Sequence, residues 1–282
     1  MNKYNKIIGI HIKNNNKDNI YEKIKHIYDN NGRIIQLFVN NIKNINEVCN
    51  YLKKYNMLCV VHASYTINIS QPWNKYSWWV QKFILEIECA SKLNAFGIVI
   101  HLGKQLNLSF EEAINNMYSL LLYVHKLTNK TKVKILIETS SGQGSEMCYK
   151  IEQLAYFYNK FKMNKNKEIK NRFGLCVDTC HIFVSGSNIK NIKSVKKYFD
   201  TFDKLIGINE IKLIHLNDSK NDINTKLDRH ENIGYGFIGD KSLLFIAKMF
   251  IYLSTPIILE TPYDNDKKNS YVDMLKILSF IK

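Results

Sequence analysis

The chain has no Cys-x-x-Cys pair and no long uncharged apolar run. It also has no phosphate-loop motif, no His-Glu-x-x-His and no Gly-x-Ser-x-Gly. Without an apolar run or a leader-like start, a membrane span is excluded and a soluble intracellular protein is expected. The missing Cys pairs leave six scattered cysteines, mostly in apolar contexts, which read as buried free thiols. Proline is scarce, at 3 residues in 282, while Lys and Asn are abundant. That bias speaks of an A/T-rich source and not of function. Acidic residues are few: 25 against 40 basic, a net charge of +15. Such a surface attracts polyanions, nucleic acid above all, although codon-favoured surface Lys explains the charge equally well.

What is present is a repeated ending. The run Gly174-Leu175-Cys176-Val177 stops at Asp178, and His181 follows three residues later. Val60-Val61 stops at His62, Ile98-Val99-Ile100 at His101, and Ile135-Leu136-Ile137 at Glu138. Ile211 to Ile214 stops at His215, and Ile257-Ile258-Leu259 at Glu260. Short continuous apolar runs read as strands of a parallel sheet buried on both faces. Six of them deliver a metal-ligand side chain where the strand should end.

Two more strands are expected at Ile7–Ile12 and Ile34–Val39. Helices are expected at Asp18–Tyr28, around Ile45–Tyr55, and over Trp79, Val80, Phe83, Ile84, Ile87 and Ala90 at helical spacing. Another opens with a capping box at Ser109 and Glu112. Ser145 is expected to cap the helix after strand five, Asn164–Lys170 reads as a polar connection, and Ser194–Leu205 as a short helix. Eight strand–helix units without a domain-sized break predict a single (β/α)8 TIM barrel over residues 1–282. An open doubly wound sheet is the competing architecture.

One connection, Asn217 to Gly239, carries no good element and contains Asp228-Arg229-His230. Loops this long in compact domains are usually functional. Its Gly234-Tyr235-Gly236-Phe237-Ile238-Gly239 matches a dinucleotide fingerprint by letter, but no strand precedes it, so it reads as flexible backbone behind a metal loop.

His62, His101, Glu138, Asp178, His181, His215, Asp228, His230 and Glu260 are thus nine candidate ligands, all nitrogen or carboxylate oxygen. Such a set suits Zn²⁺, with Mn²⁺ as an alternative, and is enough for two or three ions. Any single His after an apolar run is usually a hydrogen-bonded core or loop residue. His11, His26 and His125 are read that way. Five of eight histidines in one constellation is hard to obtain by packing. Cys176 and Cys180 read as packing residues beside hard donors. Several divalent ions above a barrel suit phosphodiester hydrolysis, and the basic charge suits a nucleic-acid backbone.

Gly174-Leu175-Cys176-Val177-Asp178-Thr179-Cys180-His181 resembles the signature of the endonuclease IV type of apurinic/apyrimidinic endonucleases. So do His215-Leu216-Asn217-Asp218-Ser219-Lys220, Asp228-Arg229-His230 with Gly234, and Leu259-Glu260-Thr261-Pro262. The likeness runs from about His62 to Pro262. It implies a barrel carrying three zinc ions. His62, His101 and Glu138 would hold one. Glu138 would bridge to a second, held with Asp178, His215 and Glu260. His181, Asp228 and His230 would hold the third. Glu138 and Glu260 would be the catalytic carboxylates.

The resemblance implies hydrolysis 5′ to an abasic site in double-stranded DNA, leaving a 3′-hydroxyl and a 5′-deoxyribose phosphate, and cleaning of blocked 3′ ends in base excision repair. Tyr65 looks like the family's substrate-side tyrosine, and a monomer is expected. Two departures stand out. The family's prolines after the first two metal histidines are replaced in His62-Ala63-Ser64 and His101-Leu102-Gly103, which loosens those turns. The DNA-inserting loop near Asn40–Asn44 does not match, so no residue is assigned there. Competing functions are a metal-dependent sugar isomerase or epimerase on the same barrel, and a non-catalytic nucleic-acid-binding protein.

Overall fold

The computed structural model describes residues 7–12, 19–42 and 44–281. Eight parallel strands close a barrel: β1 (Ile8–Ile12), β2 (Ile34–Leu37), β3 (Leu58–His62), β4 (Gly97–Ile100), β5 (Lys134–Glu138), β6 (Phe173–Asp178), β7 (Ile211–His215) and β10 (Ile257–Leu259). Each strand pairs with its sequence neighbour, and β10 closes between β7 and β1. Helices α1 (Ile20–Asp29), α2 (Ile45–Lys54), α3 (Trp78–Lys92), α4 (Phe110–Thr128), α5 (Ile151–Lys162), α8 (Ile192–Leu205), α9 (Asp240–Tyr252) and α10 (Ser270–Phe280) form the outer ring. The expected TIM barrel is what the chain forms.

Continuous apolar strands are needed because each is buried twice, by helices outside and by the barrel lumen inside. Inside, Ile34, Val60, Val99, Leu136, Cys176, Leu213 and Ile258 pack into one layer. Gly9 holds the β1 position of this layer, beside Ile34 and Ile258. An added Cβ there would lie 1.6 Å from the Ile34 carbonyl oxygen. Cys176 is therefore a packing residue, as its context suggested.

Local differences from expectation have local causes. Asn164–Lys170 is not a plain connection: α6 (Lys167–Arg172) lies across it, because Asn166 caps it by accepting the Glu168 N–H. Ser145 caps no helix; its hydroxyl and carbonyl instead accept Leu106 N–H and Gln105 N–H, and α5 starts at Ile151. The short α7 (Thr179–Val184) follows β6 directly. The Ser109–Glu112 capping box forms as expected. The first helix starts at Ile20, capped by Asn19, and Asp18 lies outside the described residues.

The 217–239 connection is ordered. It contains a two-stranded antiparallel ribbon, β8 (Asp218–Ser219) with β9 (His230–Glu231). Asp218 is fully buried and accepts the N–H groups of Ser219, Gly234, Gly236, Ile238 and Gly239. The glycines thus serve close approach to one carboxylate, and flexibility is the wrong account. Gly236 cannot carry a Cβ, which would sit 2.4 Å from the Ser219 carbonyl and 2.6 Å from Asp218 Oδ1.

Candidate metal centre

Successive side chains on a strand alternate between faces, so the residue two beyond an inward one also points inward. Two residues past the lumen layer come His11, Gln36, His62, His101, Glu138, Asp178, His215 and Glu260. Every barrel strand therefore delivers one polar side chain to a ring at its carboxyl end. Six are evident in the sequence. His11, expected to be an ordinary core histidine, and Gln36, which carries no sequence signal, complete the ring.

Glu138 sits at the centre of the ring, fully buried. Its Oε2 lies 3.3 Å from His62 Nε2 and 3.4 Å from His101 Nε2. Its Oε1 lies 2.8 Å from His215 Nδ1. One carboxylate oxygen thus faces each of two donor groups. His215 Nδ1 is also 3.3 Å from Glu260 Oε2 and 3.9 Å from Asp178 Oδ2. A third group forms where His181 Nε2 lies 3.1 Å from Asp228 Oδ2, and His230 Nε2 lies 3.3 Å from Asp228 Oδ1 and 3.5 Å from Asp178 Oδ2. The nine expected ligands are brought together, loop pair included. Tyr65 lies at the rim, its ring 5.1 Å from that of His62 and 5.4 Å from that of His101, and two-thirds exposed.

The Asp-Thr-Cys-His sequence has a local explanation. Asp178 is the N-cap of α7, and its Oδ1 accepts the His181 N–H at 3.0 Å. Capping places a residue three positions on beside the cap. One oxygen of Asp178 therefore fixes the helix while Oδ2 faces the centre, where Asn217 Nδ2 donates to it at 2.7 Å. Asn217 also accepts the Glu260 N–H, linking β7 to β10.

Do these residues fit a metal? Four observations say they do. Nε2 of His101, His181 and His230, and Oε2 of Glu138, are buried without a hydrogen-bond partner. The second ring nitrogens are occupied by acceptors: His62 Nδ1 donates to the Ala63 carbonyl at 2.7 Å, His181 Nδ1 to the Thr139 carbonyl at 2.8 Å. That points Nε2 into the centre, the nitrogen that metal-binding histidines present when the other ring nitrogen is engaged. His215 is reversed, with Nε2 2.8 Å from the Gln36 side-chain carbonyl and Nδ1 inward. Gln36 fixes that tautomer, and its amide donates to Glu260 Oε1 at 2.6 Å.

The fourth observation is electrostatic. Burial alone would raise the Glu138 carboxyl, yet His101 and His215 hold it well below the carboxylate range. Burial likewise opposes ionised Asp228, but His181 and His230 keep it strongly acidic. Conversely, burial favours neutral His215, while Glu260 and Glu138 push it up to about 9. His230 is pushed to about 9 by Asp178 and Asp228 against the same burial. The carboxylates stay ionised and draw positive charge towards them, which divalent cations would supply. Cys180 is near Asp228 and His230. Burial and Asp178 push its thiol up to about 12, so it is held protonated beside these donors.

The family described as "Xylose isomerase-like TIM barrel" matches residues 6–280. A protein of Ureaplasma parvum serovar 3 named "Probable endonuclease 4" is 33% identical over 279 residues, 94% of this chain and 89% of that protein. The chain belongs to the endonuclease IV type of AP endonucleases. The crystal structure of endonuclease IV from Thermus thermophilus superposes with a TM-score of 0.78 at 18% identity, covering 98% of both chains. A D-tagatose 3-epimerase-like protein reaches a TM-score of 0.70 at 17% identity, covering 98% of this chain and 95% of that one. At those identities the structural likeness speaks for the barrel alone. The family assignment rests on sequence.

Proposed function

We propose that the chain is a DNA repair nuclease that hydrolyses the phosphodiester 5′ to an abasic site, leaving a 3′-hydroxyl and a 5′-deoxyribose phosphate, and that also removes blocked 3′ ends. The observation that carries this reading is the ring of ligands completed by the loop pair Asp228 and His230, in a chain of the endonuclease IV family. Three Zn²⁺ ions are the proposed complement, with Mn²⁺ as an alternative. His62, His101 and Glu138 would hold the first. Glu138, Asp178, His215 and Glu260 would hold the second, and His181, Asp228 and His230 the third. Bound there, divalent ions supply positive charge that neutralises a phosphate and acidifies water.

The chain's own residues do the rest. Glu138 holds the first two donor groups at a fixed separation. Glu260, at the edge of the ring, has its Oε1 held by Gln36 and His11, which leaves its other oxygen to orient water. Tyr65 offers an exposed ring and hydroxyl to the substrate beside the first group. The chain acts as one barrel unit over residues 1–282, as a monomer, on double-stranded DNA within the cell. Among the described residues no helix is long and apolar enough to cross a membrane.

The test is a duplex with one abasic site, incubated with metal-replete protein. Incision 5′ to that site, lost on chelation and restored by Zn²⁺, is the expected result. An uncut duplex together with turnover of a free ketose would instead favour the epimerase reading of the same barrel.

A further inference from the structure

Glu86 lies on the buried stripe of α3, between Phe83 and Ala90, and is only 3% exposed. A carboxylate in a core stripe is costly unless its oxygens are satisfied. Oε2 accepts the backbone N–H of Ser64 at 3.0 Å. Oε1 has no hydrogen-bond partner, and the Lys82 ammonium stands at 3.2 Å as its counter-charge. Lys82 also donates to Asn40 Oδ1 at 2.9 Å. Ser64 precedes Tyr65 in the turn after β3, and Asn40 lies in the turn after β2. The same two turns meet again through rings: Phe38 and Tyr65 pack edge to face at 5.2 Å. A helix that should only cover the barrel therefore reaches up and ties two rim turns together.

We propose that Glu86 and Lys82 are positioning residues that fix the Tyr65 turn and lock it to the Asn40 turn, so that both meet the DNA backbone as one surface. This rests on the DNA reading above. The composition of the turn gives the clamp a purpose: Ala63-Ser64 carries no proline ring to stiffen it, and Glu86 restrains it from below. A clamp of this kind acts on substrate binding more than on the chemical step. It is invisible to the metals, because neither residue touches a ligand side chain.

The test compares wild type, Glu86→Gln, Glu86→Ala, Lys82→Met and the Glu86→Gln/Lys82→Met double variant. Amide exchange at Ser64 is measured without DNA, alongside metal per chain, and KM and kcat on an abasic duplex. Glu86→Ala should expose the Ser64 amide to exchange, and Glu86→Gln, which keeps an acceptor, should do so less. Both Glu86→Gln and Lys82→Met should raise KM by roughly tenfold with kcat and metal content unchanged. The double variant should be no worse than either alone, because the two act as one unit. The proposal is overturned if Ser64 exchange and KM stay at wild-type values, or if kcat and metal fall while KM does not. Should Glu86 variants fail to fold, Lys82→Met, at a part-exposed site, still decides. If wild type itself leaves the abasic duplex uncut, the DNA reading fails. Exchange at Ser64 then decides the clamp by itself.

Discussion

Glu138 Oε1 and Oε2 face different donor groups, so one side chain sets the spacing of two proposed ions. Glu138→Gln keeps the volume and removes the charge. We expect a folded protein with reduced metal content and a rate lower by at least about 10²–10³, the usual cost of losing one transition-state stabiliser; native metal content with native turnover would remove Glu138 from the centre. His125 offers a separate check by pH. It is buried on α4 with Nδ1 unpartnered, beside Arg172 and Phe173. Burial, then Arg172, push its pKa below the ordinary 6.5. A depressed histidine leaves the native state with fewer protons than the unfolded chain. Its contribution is complete above pH 6.5 and is lost as pH falls towards the native pKa. His125→Phe should therefore lose less stability than wild type between about pH 7.5 and about pH 5.5, read as denaturation midpoints. Equal losses would show that His125 is already solvated.

At the scale of elements, the 217–239 connection carries its own framework, and two substitutions separate framework from ligand. His230→Ala removes one donor and leaves the Asp218 hydrogen bonds intact. It should lose one metal per chain, keep the other ions and slow turnover, with the loop still resistant to protease. Gly236→Ala drives a methyl into Asp218 and Ser219, so protease should now cut the loop, and the same metal should be lost. If His230→Ala opens the loop as readily as Gly236→Ala, the ion and not Asp218 holds it. This contrast also explains what is readable in the sequence. Six strand ends can be read because an apolar run breaks at a His, Asp or Glu, and the Asp178–His181 spacing is a local capping pattern. His11 and Gln36 cannot, since Ile12 and Leu37 follow them and the apolar run never breaks; only the ring, a barrel-wide relation, assigns them. Asp218 pairs with backbone 16 to 21 positions away, a distance no local pattern reports. Nor is α6 legible, because its stability comes from one Asn cap and buried Arg172, against a polar surface.

For the whole molecule the question is where +15 acts. The barrel gives the charge two ends. Lys220 and Arg229 are exposed on the connection beside the candidate metal centre. Lys132, just before β5, and Lys204, in the last turn of α8 before β7, are exposed at the opposite end. Counterion release depends on the phosphates a protein actually neutralises, so each one steepens log K against log salt by about 0.9 on duplex DNA. A charge at the far end lies beyond a Debye length, roughly 8–10 Å at moderate salt, from DNA seated on the ring. Replacing Lys220 and Arg229 by Gln should therefore weaken binding to an abasic duplex and flatten the salt slope by about one for each phosphate no longer neutralised. Replacing Lys132 and Lys204 by Gln removes the same charge and should leave the slope unchanged. The measurement is affinity for one duplex across a salt series for the two double variants and wild type. Equal flattening in both would mean that DNA reads the net charge and not the ligand-bearing end of the barrel. No flattening in either would leave the excess Lys as surface composition alone.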